Sequence, residues 1–367
     1  MLKVLTIVGA RPQFIKAAAL SRLINSEEWN NRITEKIIHT GQHYDDKMSE
    51  IFFRELRIPK PNVNLGIGGM SHGRMTGEML IKIEDHLQSE KPDVVILYGD
   101  TNSTLAGALA AAKMNIPVAH IEAGLRSFWK RMPEEQNRVL TDHLSSFLFC
   151  PTETATNNLN KEGIIDGVFN VGDIMLDANI YYRKILESEE NNGVERLSKI
   201  SNLNSKVVEN GYILATIHRA ENTNDPEKLG EIITALNEMD YNVVLPLHPR
   251  TRKAVDQNNY SFNEHITVIE PVGFFDMLSL EVHSNLIITD SGGVQKEAYF
   301  IKKPCITVRD QTEWVETVQS GWNMITGAFS EKIKNAEQNF KIPDKHPDFF
   351  GEGDSSAKIL SILCKNR

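Results

Sequence analysis

The feature that most limits how this chain can fold is a strand–helix alternation that runs through its first half and starts again in its second. Lys3-Val-Leu-Thr-Ile-Val-Gly9 reads as a β-strand, and Gln13-Phe-Ile-Lys-Ala-Ala-Ala-Leu-Ser-Arg-Leu23 reads as a helix. Strand-like runs recur near 35–40, 93–99, 117–122, 146–151 and 168–172, with helical stretches between them. A second series follows at 212–217, 242–247, 266–270, 286–290 and 304–308. Strands separated by helices form right-handed βαβ units, so the economical expectation is two parallel sheets with helices on both faces. The expected class is α/β, with two Rossmann-like doubly wound domains and a central cleft. The first domain spans residues 1–180, the second 181–350, and a terminal helix over 351–367 packs back on the first. At 367 residues the chain is long enough for two separate cores. Residues 184–210 are polar and charged and read as a helix followed by a flexible connection, weakest at Glu189-Glu-Asn-Asn-Gly193.

Charge and cysteine usage narrow the function classes. The net charge is -9, with no basic and aromatic run to offset it, which argues against nucleic acid as the main partner. No apolar run approaches the roughly 20 residues that span a bilayer. The amino terminus reads as a strand, not as a signal peptide, so a cytoplasmic location is expected. Cys150, Cys305 and Cys364 are few, odd in number and far apart, which suggests neither disulfides nor a cysteine metal site. Cys150 and Cys305 sit in apolar strand-like runs and are read as packing residues.

In open α/β sheets ligands bind beyond the carboxyl ends of the strands. Three acids fall there in the first half. Asp100 ends Val94-Val-Ile-Leu-Tyr-Gly-Asp100, Glu122 follows Pro117-Val-Ala-His-Ile121, and Glu134 opens a helix just after Pro133. Each taken alone is an ordinary loop acid or cap. Together they suggest acid/base chemistry on an uncharged, hydroxyl-rich group. The turn Gly9-Ala-Arg-Pro-Gln-Phe-Ile-Lys16 sets Arg11 and Lys16 at a helix amino end, a natural anion site, although Arg11 is equally a surface cation. It matches neither a G-x-G-x-x-G fingerprint nor a Walker loop.

The second half carries a matching turn, Thr289-Asp-Ser-Gly-Gly-Val-Gln-Lys-Glu297. Ser291, Gly292 and Gly293 can face a phosphate with open backbone N–H groups, and Glu297 can accept both hydroxyls of a ribose. A simple helix cap by Asp290 or Ser291 is the plainer alternative. His218 and Arg219 end the first strand of this half, where a histidine can donate to phosphate oxygens. Leu247-His-Pro-Arg-Thr-Arg252 is a weaker basic turn. Carboxylates in one domain and phosphate and ribose contacts in the other suit a nucleotide-sugar.

These motifs, in this order along nearly the whole chain, resemble the non-hydrolysing UDP-N-acetylglucosamine 2-epimerases, which have the two-domain GT-B fold. The resemblance is carried by Gly9-Ala-Arg-Pro-Gln13, Gly99-Asp-Thr-Asn-Ser-Thr104, His120-Ile-Glu-Ala-Gly-Leu-Arg126, Pro133-Glu-Glu-Gln-Asn-Arg138, His218-Arg, Asp290-Ser-Gly-Gly293 and Arg309-Asp-Gln-Thr-Glu313. It implies inversion at C2 of a UDP-2-acetamido sugar, by elimination of UDP and its re-addition. It implies that Asp100, Glu122, Glu134 and His218 are catalytic. It implies that Arg11, Lys16, Asp100, Glu122, His218, Ser291, Gly292, Gly293 and Glu297 bind the UDP-sugar, with Val272 and Met277 at the uridine. It also implies a homodimer, with no metal, nicotinamide or flavin.

Three departures from the family pattern bear on substrate choice. Thr312-Glu-Trp-Val-Glu316 has Trp314 where the family carries an arginine that contacts UDP, so a cation is expected to be lost there. The segment from Gly124 to Glu134 is two residues shorter than usual and carries Arg126, Lys130 and Arg131. These two features resemble the branch acting on UDP-2,3-diacetamido-2,3-dideoxyglucuronate, whose extra carboxylate Lys130 and Arg131 can read; a solvated loop face is the alternative. Third, Gln42-His-Tyr-Asp45 departs from the activator-binding version, and Glu78 stands where regulated members carry an arginine. Hyperbolic kinetics without an activator are therefore expected. A glycosyltransferase of the same fold, a hydrolysing epimerase and a non-catalytic nucleotide-sugar sensor are the rivals.

Overall fold

A computed structural model of the protein describes residues 1–42, 56–57, 60–188 and 193–366. Two compact units emerge, one made of Met1–Ile180 with Asp348–Arg367 and the other of Tyr181–Pro347. The first contains β1 (Leu2–Val8), β2 (Ile33–His39), β3 (Val63–Asn64), β4 (Val94–Tyr98), β5 (Val118–Ile121), β6 (Phe147–Cys150) and β7 (Val168–Asn170). They form one parallel sheet in the order β3-β2-β1-β4-β5-β6-β7. The second contains β8 (Ile213–Thr216), β9 (Val243–Pro246), β10 (Ile266–Ile269), β11 (Leu286–Thr289), β12 (Cys305–Thr307) and β13 (Asn323–Ile325). Their order is β10-β9-β8-β11-β12-β13, again parallel. Both units are therefore doubly wound α/β folds.

The sequence produces this through burial on both sheet faces. Every residue of β4, Val-Val-Ile-Leu-Tyr, is buried, as expected for a parallel strand covered by helices above and below. In the second unit, side chains of alternate parity enter different cores. Ile213 and Ala215 pack with Leu286 and Ile288, whereas Leu214 packs with Ile287, Val294 and Cys305. Cys150 and Cys305 are buried packing residues, and burial pushes both thiols up to about 12. Among the described residues no helix is long and apolar enough to cross a membrane.

Three details differ from the sequence reading. The stretch read as a flexible connection after the helix Ile174–Leu186 carries two short helices, Gly193–Ser198 and Ser205–Glu209. The short strands β3 and β13 were not expected. The terminal helix, Ser355–Lys365, is not capped by its own flanking residue Asp354. Its first N–H groups, from Ser355 and Ser356, donate instead to the carboxylate of Asp177 at 3.1 and 2.7 Å. That helix packs on the helix Arg11–Ile24, which follows β1.

Doubly wound sheets have a switch point where the chain leaves the central strand in opposite directions. It falls between β1 and β4 in the first unit and between β8 and β11 in the second. The segments that follow these four strands, and β5, carry most of the candidate site residues; Val272 and Met277 follow β10, and Trp314 follows β12.

Candidate active site

In the first unit the turns after β1 and β4 and the start of the helix Pro133–Leu144 enclose a cavity of about 220 Å³. Lys16, Asp100 and Glu134 line it, with Gln13, Gln42, His72 and Asn137. Glu122 joins them through a salt bridge to the Lys16 ammonium. Asp100 accepts from Arg138 Nη2 at 2.6 Å, and its carbonyl accepts from Asn137 Nδ2 at 2.9 Å. Three acids from three segments are thus gathered on one side of one sheet.

Backbone shape makes this possible. Gly99 has φ +62, and a Cβ there would lie 3.2 Å from Glu122 Oε2 and 3.3 Å from Lys16 Nζ. The positive φ favours glycine there, and an added Cβ would press on the acid–lysine pair. Glu122 itself has φ +72, a left-handed conformation that non-glycine residues seldom adopt and that concentrates at functional sites. Its N–H and that of Ala123 both donate to the Phe149 carbonyl at 3.1 Å, which holds the turn. The Glu134 helix starts at Pro133, the position where the missing N–H costs nothing.

The turn after β1 differs from the open anion site expected there. Gln13 Oε1 accepts from the N–H groups of Gly9 and Ala10 at 2.8 and 3.0 Å. Gln13 Nε2 donates to the Tyr98 carbonyl and to the hydroxyls of Thr101 and Thr104. These amides are therefore occupied, and Gln13 ties β1 to the turn that carries Asp100. Arg11 is the half-buried first residue of its helix; its neighbours Ala10 and Pro12 line the cavity and Arg11 does not.

Beneath the cavity lies a buried polar network. His120 Nδ1 is 2.7 Å from Asp142 Oδ1 and its Nε2 is 2.7 Å from the Gly99 carbonyl. Asp142 Oδ2 accepts from Arg126 Nη1 at 2.6 Å and from Gly124 N at 3.1 Å, and Arg126 makes a two-point contact with Glu162 at 2.7 Å. Burial pushes the Asp142 carboxyl up, but His120 and Arg126 outweigh it and hold it below the usual range. Glu135 is comparable. Burial raises it, yet the N–H groups of Ser127 and Phe128 and the Arg138 guanidinium bring it below the ordinary carboxylate value. Glu135 thereby pins the loop holding Lys130 and Arg131. Both are exposed and neither lines the cavity, and Lys130 contributes its carbonyl to Gln136.

In the second unit Asp290 is fully buried and organises the switch point. It accepts from the N–H groups of His218 (3.0 and 3.1 Å) and Arg219 (3.0 Å) and from Asn222 Nδ2 (3.1 Å). Ser291 caps the helix Gly292–Phe300 through Val294 N at 3.4 Å, and Gly292 and Gly293 form its first turn. Glu297 is half-buried further along the same helix. Burial, with Arg219, His248 and Arg250, holds His218 below the ordinary imidazole value, against the upward pull of Asp290. The His248 ring, at the end of β9, lies 6.0 Å from that of His218. Val272 and Met277 are half-buried against the core that contains Leu214. Trp314 is buried, and its indole nitrogen lies 3.6 Å from where a Gly292 Cβ would sit. The cation expected to be lost there has a counterpart, since Lys296 Nζ stacks 4.0 Å over the Trp314 ring.

Asp45 lies outside the described residues. Glu78 faces Arg74 at 3.2 Å on an exposed helix surface.

A family model described as UDP-N-acetylglucosamine 2-epimerase matches residues 26–364. The chain belongs to this family. It is 52% identical over 370 residues to the UDP-N-acetylglucosamine 2-epimerase homolog of Methanococcus maripaludis, covering 99% of each chain. It is 49% identical over 372 residues to the UDP-2,3-diacetamido-2,3-dideoxy-D-glucuronate 2-epimerase of Pseudomonas aeruginosa, covering 99% of this chain and 100% of the other. The crystal structure of the Methanocaldococcus jannaschii UDP-GlcNAc 2-epimerase in complex with UDP-GlcNAc and UDP matches with a TM-score of 0.89 and 44% identity. That match covers 99% of this chain and 100% of the other. The paired doubly wound units are thus those of an epimerase with the GT-B type of fold.

Sequence reasoning named the three acids of this candidate site but gave no role to Gln13, Arg138, His120, Asp142 or Lys296. Arg138 carried one usable signal. It lies one helical turn beyond Glu134 and Glu135, where side chains share a face.

Proposed function

We propose that the protein is a non-hydrolysing 2-epimerase of a UDP-2-acetamido sugar. The observation that carries this reading is the cavity in the first unit, where Asp100, Glu134 and the Lys16–Glu122 pair come together in a chain of this family. The C2 proton of such a sugar has no adjacent carbonyl to acidify it, so cleavage at C1 leads. The C1–O bond to the β-phosphate breaks and UDP leaves with the bonding pair. A carboxylate takes the C2 proton, leaving a 2-acetamidoglucal. A proton returns to the opposite face of C2, and UDP adds back to C1. Asp100, Glu122 and Glu134 serve as proton carriers and stabilise positive character at C1. Arg11, Lys16 and His218 receive the departing diphosphate. Ser291, Gly292, Gly293 and Glu297 hold UDP, with Val272 and Met277 beside the uracil. The family resemblance supports a homodimer in the cytoplasm that supplies sugar donors for cell-surface polysaccharide.

The sugar is UDP-N-acetylglucosamine in the main reading. The second reading is UDP-2,3-diacetamido-2,3-dideoxyglucuronate, favoured by the exposed Lys130 and Arg131 on the loop leading to Glu134. Sequence identity does not separate them, because relatives named for the two sugars match at 48% and 49%. Both UDP-sugars incubated in deuterated water and followed by proton NMR provide the test. The expected result is intact UDP-sugar with deuterium at C2. Epimerised product that keeps full protium at C2 excludes the elimination route. Glu134→Gln or Asp100→Asn is expected to slow turnover by about two orders of magnitude, as for lost acid/base catalysis.

A further inference from the structure

His120 is fully buried, and each of its ring nitrogens faces an oxygen at 2.7 Å. The oxygen on Nε2 is the Gly99 carbonyl, which can only accept, so Nε2 carries a proton. The oxygen on Nδ1 belongs to Asp142, whose second oxygen already accepts from Arg126 and from Gly124 N. One proton is shared between Nδ1 and that carboxylate. It rests on the imidazole, the stronger base, because the Arg126 guanidinium favours an ionised Asp142.

The charges around the ring agree with this. Asp142 faces it from the helix Pro133–Leu144, and Arg126 stands behind Asp142, neutralised on its far side by Glu162. Cys150, from β6, is also near Asp142, but its thiol is pushed up to about 12 and stays neutral. The Lys16–Glu122 pair, itself balanced, lies beside Gly99. With His120 protonated, the buried His120, Arg126 and Asp142 together with the solvent-exposed Glu162 have no net charge.

We propose that His120 is a buried imidazolium that acts as a positioning residue, holding the three acid-bearing segments in register through its two N–H groups. Nε2–H fixes the Gly99–Asp100 peptide at the end of β4. Nδ1–H fixes Asp142, which lies on the Glu134 helix. Asp142 in turn holds Gly124 N, two residues beyond Glu122. Loss of either ring proton sets two lone pairs against each other at hydrogen-bonding distance and releases one of the three segments.

The catalytic consequence rests on the epimerase reading; the protonation state does not. The whole protein labelled with 15N-histidine is studied by long-range proton–nitrogen NMR, with His120→Gln to assign the signal. Two protonated nitrogens on His120 are expected, one facing Asp142 and one facing the Gly99 carbonyl, and a bare nitrogen overturns the proposal. Folded His120→Gln, which keeps one donor, is expected to lose at least about tenfold in kcat. Its calorimetric affinity for UDP stays within about threefold of wild type, because Ser291, Gly292, Gly293 and Glu297, proposed to hold UDP, lie in the other unit and His120 touches neither Arg11 nor Lys16. Unchanged kcat in a folded variant also overturns it. Should His120→Gln fail to fold, a histidine-by-histidine assignment of the wild-type spectrum still decides the ring state. A wild-type protein that turns over no UDP-2-acetamido sugar defeats the epimerase reading and leaves that NMR result standing.

Discussion

A methyl group at Gly292 would fall 2.7 Å from Glu313 Oε1, whereas one at Gly293 meets only Ser291 Oγ at 3.8 Å. The two glycines therefore answer to different demands. Gly292→Ala is expected to destabilise the protein by about 1–3 kcal/mol through overpacking. Gly293→Ala is expected to leave stability unchanged or raise it by up to about 1 kcal/mol, as alanine does in a helix. If the diphosphate rests on this backbone, Gly293→Ala still weakens UDP by at least about tenfold. Urea unfolding and calorimetry separate the two effects, and unchanged UDP affinity removes Gly293 from the site. His218 gives a pH prediction. Its folded value is depressed, so its contribution to stability is present above about 6.5, the ordinary imidazole value. That contribution is lost as pH falls through the lower folded value. Denaturation of wild type and His218→Gln between pH 7.5 and 5 should show the loss in wild type alone. The three acids of the candidate site were legible at this scale, because Asp100 and Glu122 follow apolar strand runs and Glu134 follows a proline at a helix start. Their partners were not. Lys16 meets Glu122 across 106 residues and Arg138 meets Asp100 across 38, contacts that depend on which strands lie side by side.

Elements were readable where burial on both sheet faces left continuous apolar runs, as in β4 and β11. β3 and β13, with two and three residues, hold too few side chains to show a period. The cap of the terminal helix was hidden for another reason, since it is supplied from 178 residues away. That remote cap yields a prediction. Asp177→Ala should cost about 1–2 kcal/mol, the usual range for losing a helix amino-terminal cap, and Asp177→Asn should recover most of it. Urea midpoints of the three proteins provide the comparison. Equal midpoints would mean that solvent satisfies the Ser355 and Ser356 amides just as well.

At the scale of the whole molecule, the second unit is one continuous stretch with its own cores, while the first is built from two stretches far apart in the chain. A fragment spanning residues 174–347 is therefore expected to fold alone and to bind UDP within about tenfold of the full protein. It should catalyse no epimerisation, because the three acids are absent. A fragment that stays unfolded by circular dichroism, or folds and ignores UDP, would show that the second unit depends on the first. The interrupted unit also has a history imposed by protein synthesis. A ribosome delivers residues in order, so the seven strands of the first sheet emerge well before the helix Ser355–Lys365 that packs on Arg11–Ile24. At typical elongation rates the intervening unit takes on the order of ten seconds to appear. For that interval the buried face of Ile359, Leu360 and Leu363 does not yet exist, and the nascent first unit has its seven strands but not the helix that packs on Arg11–Ile24.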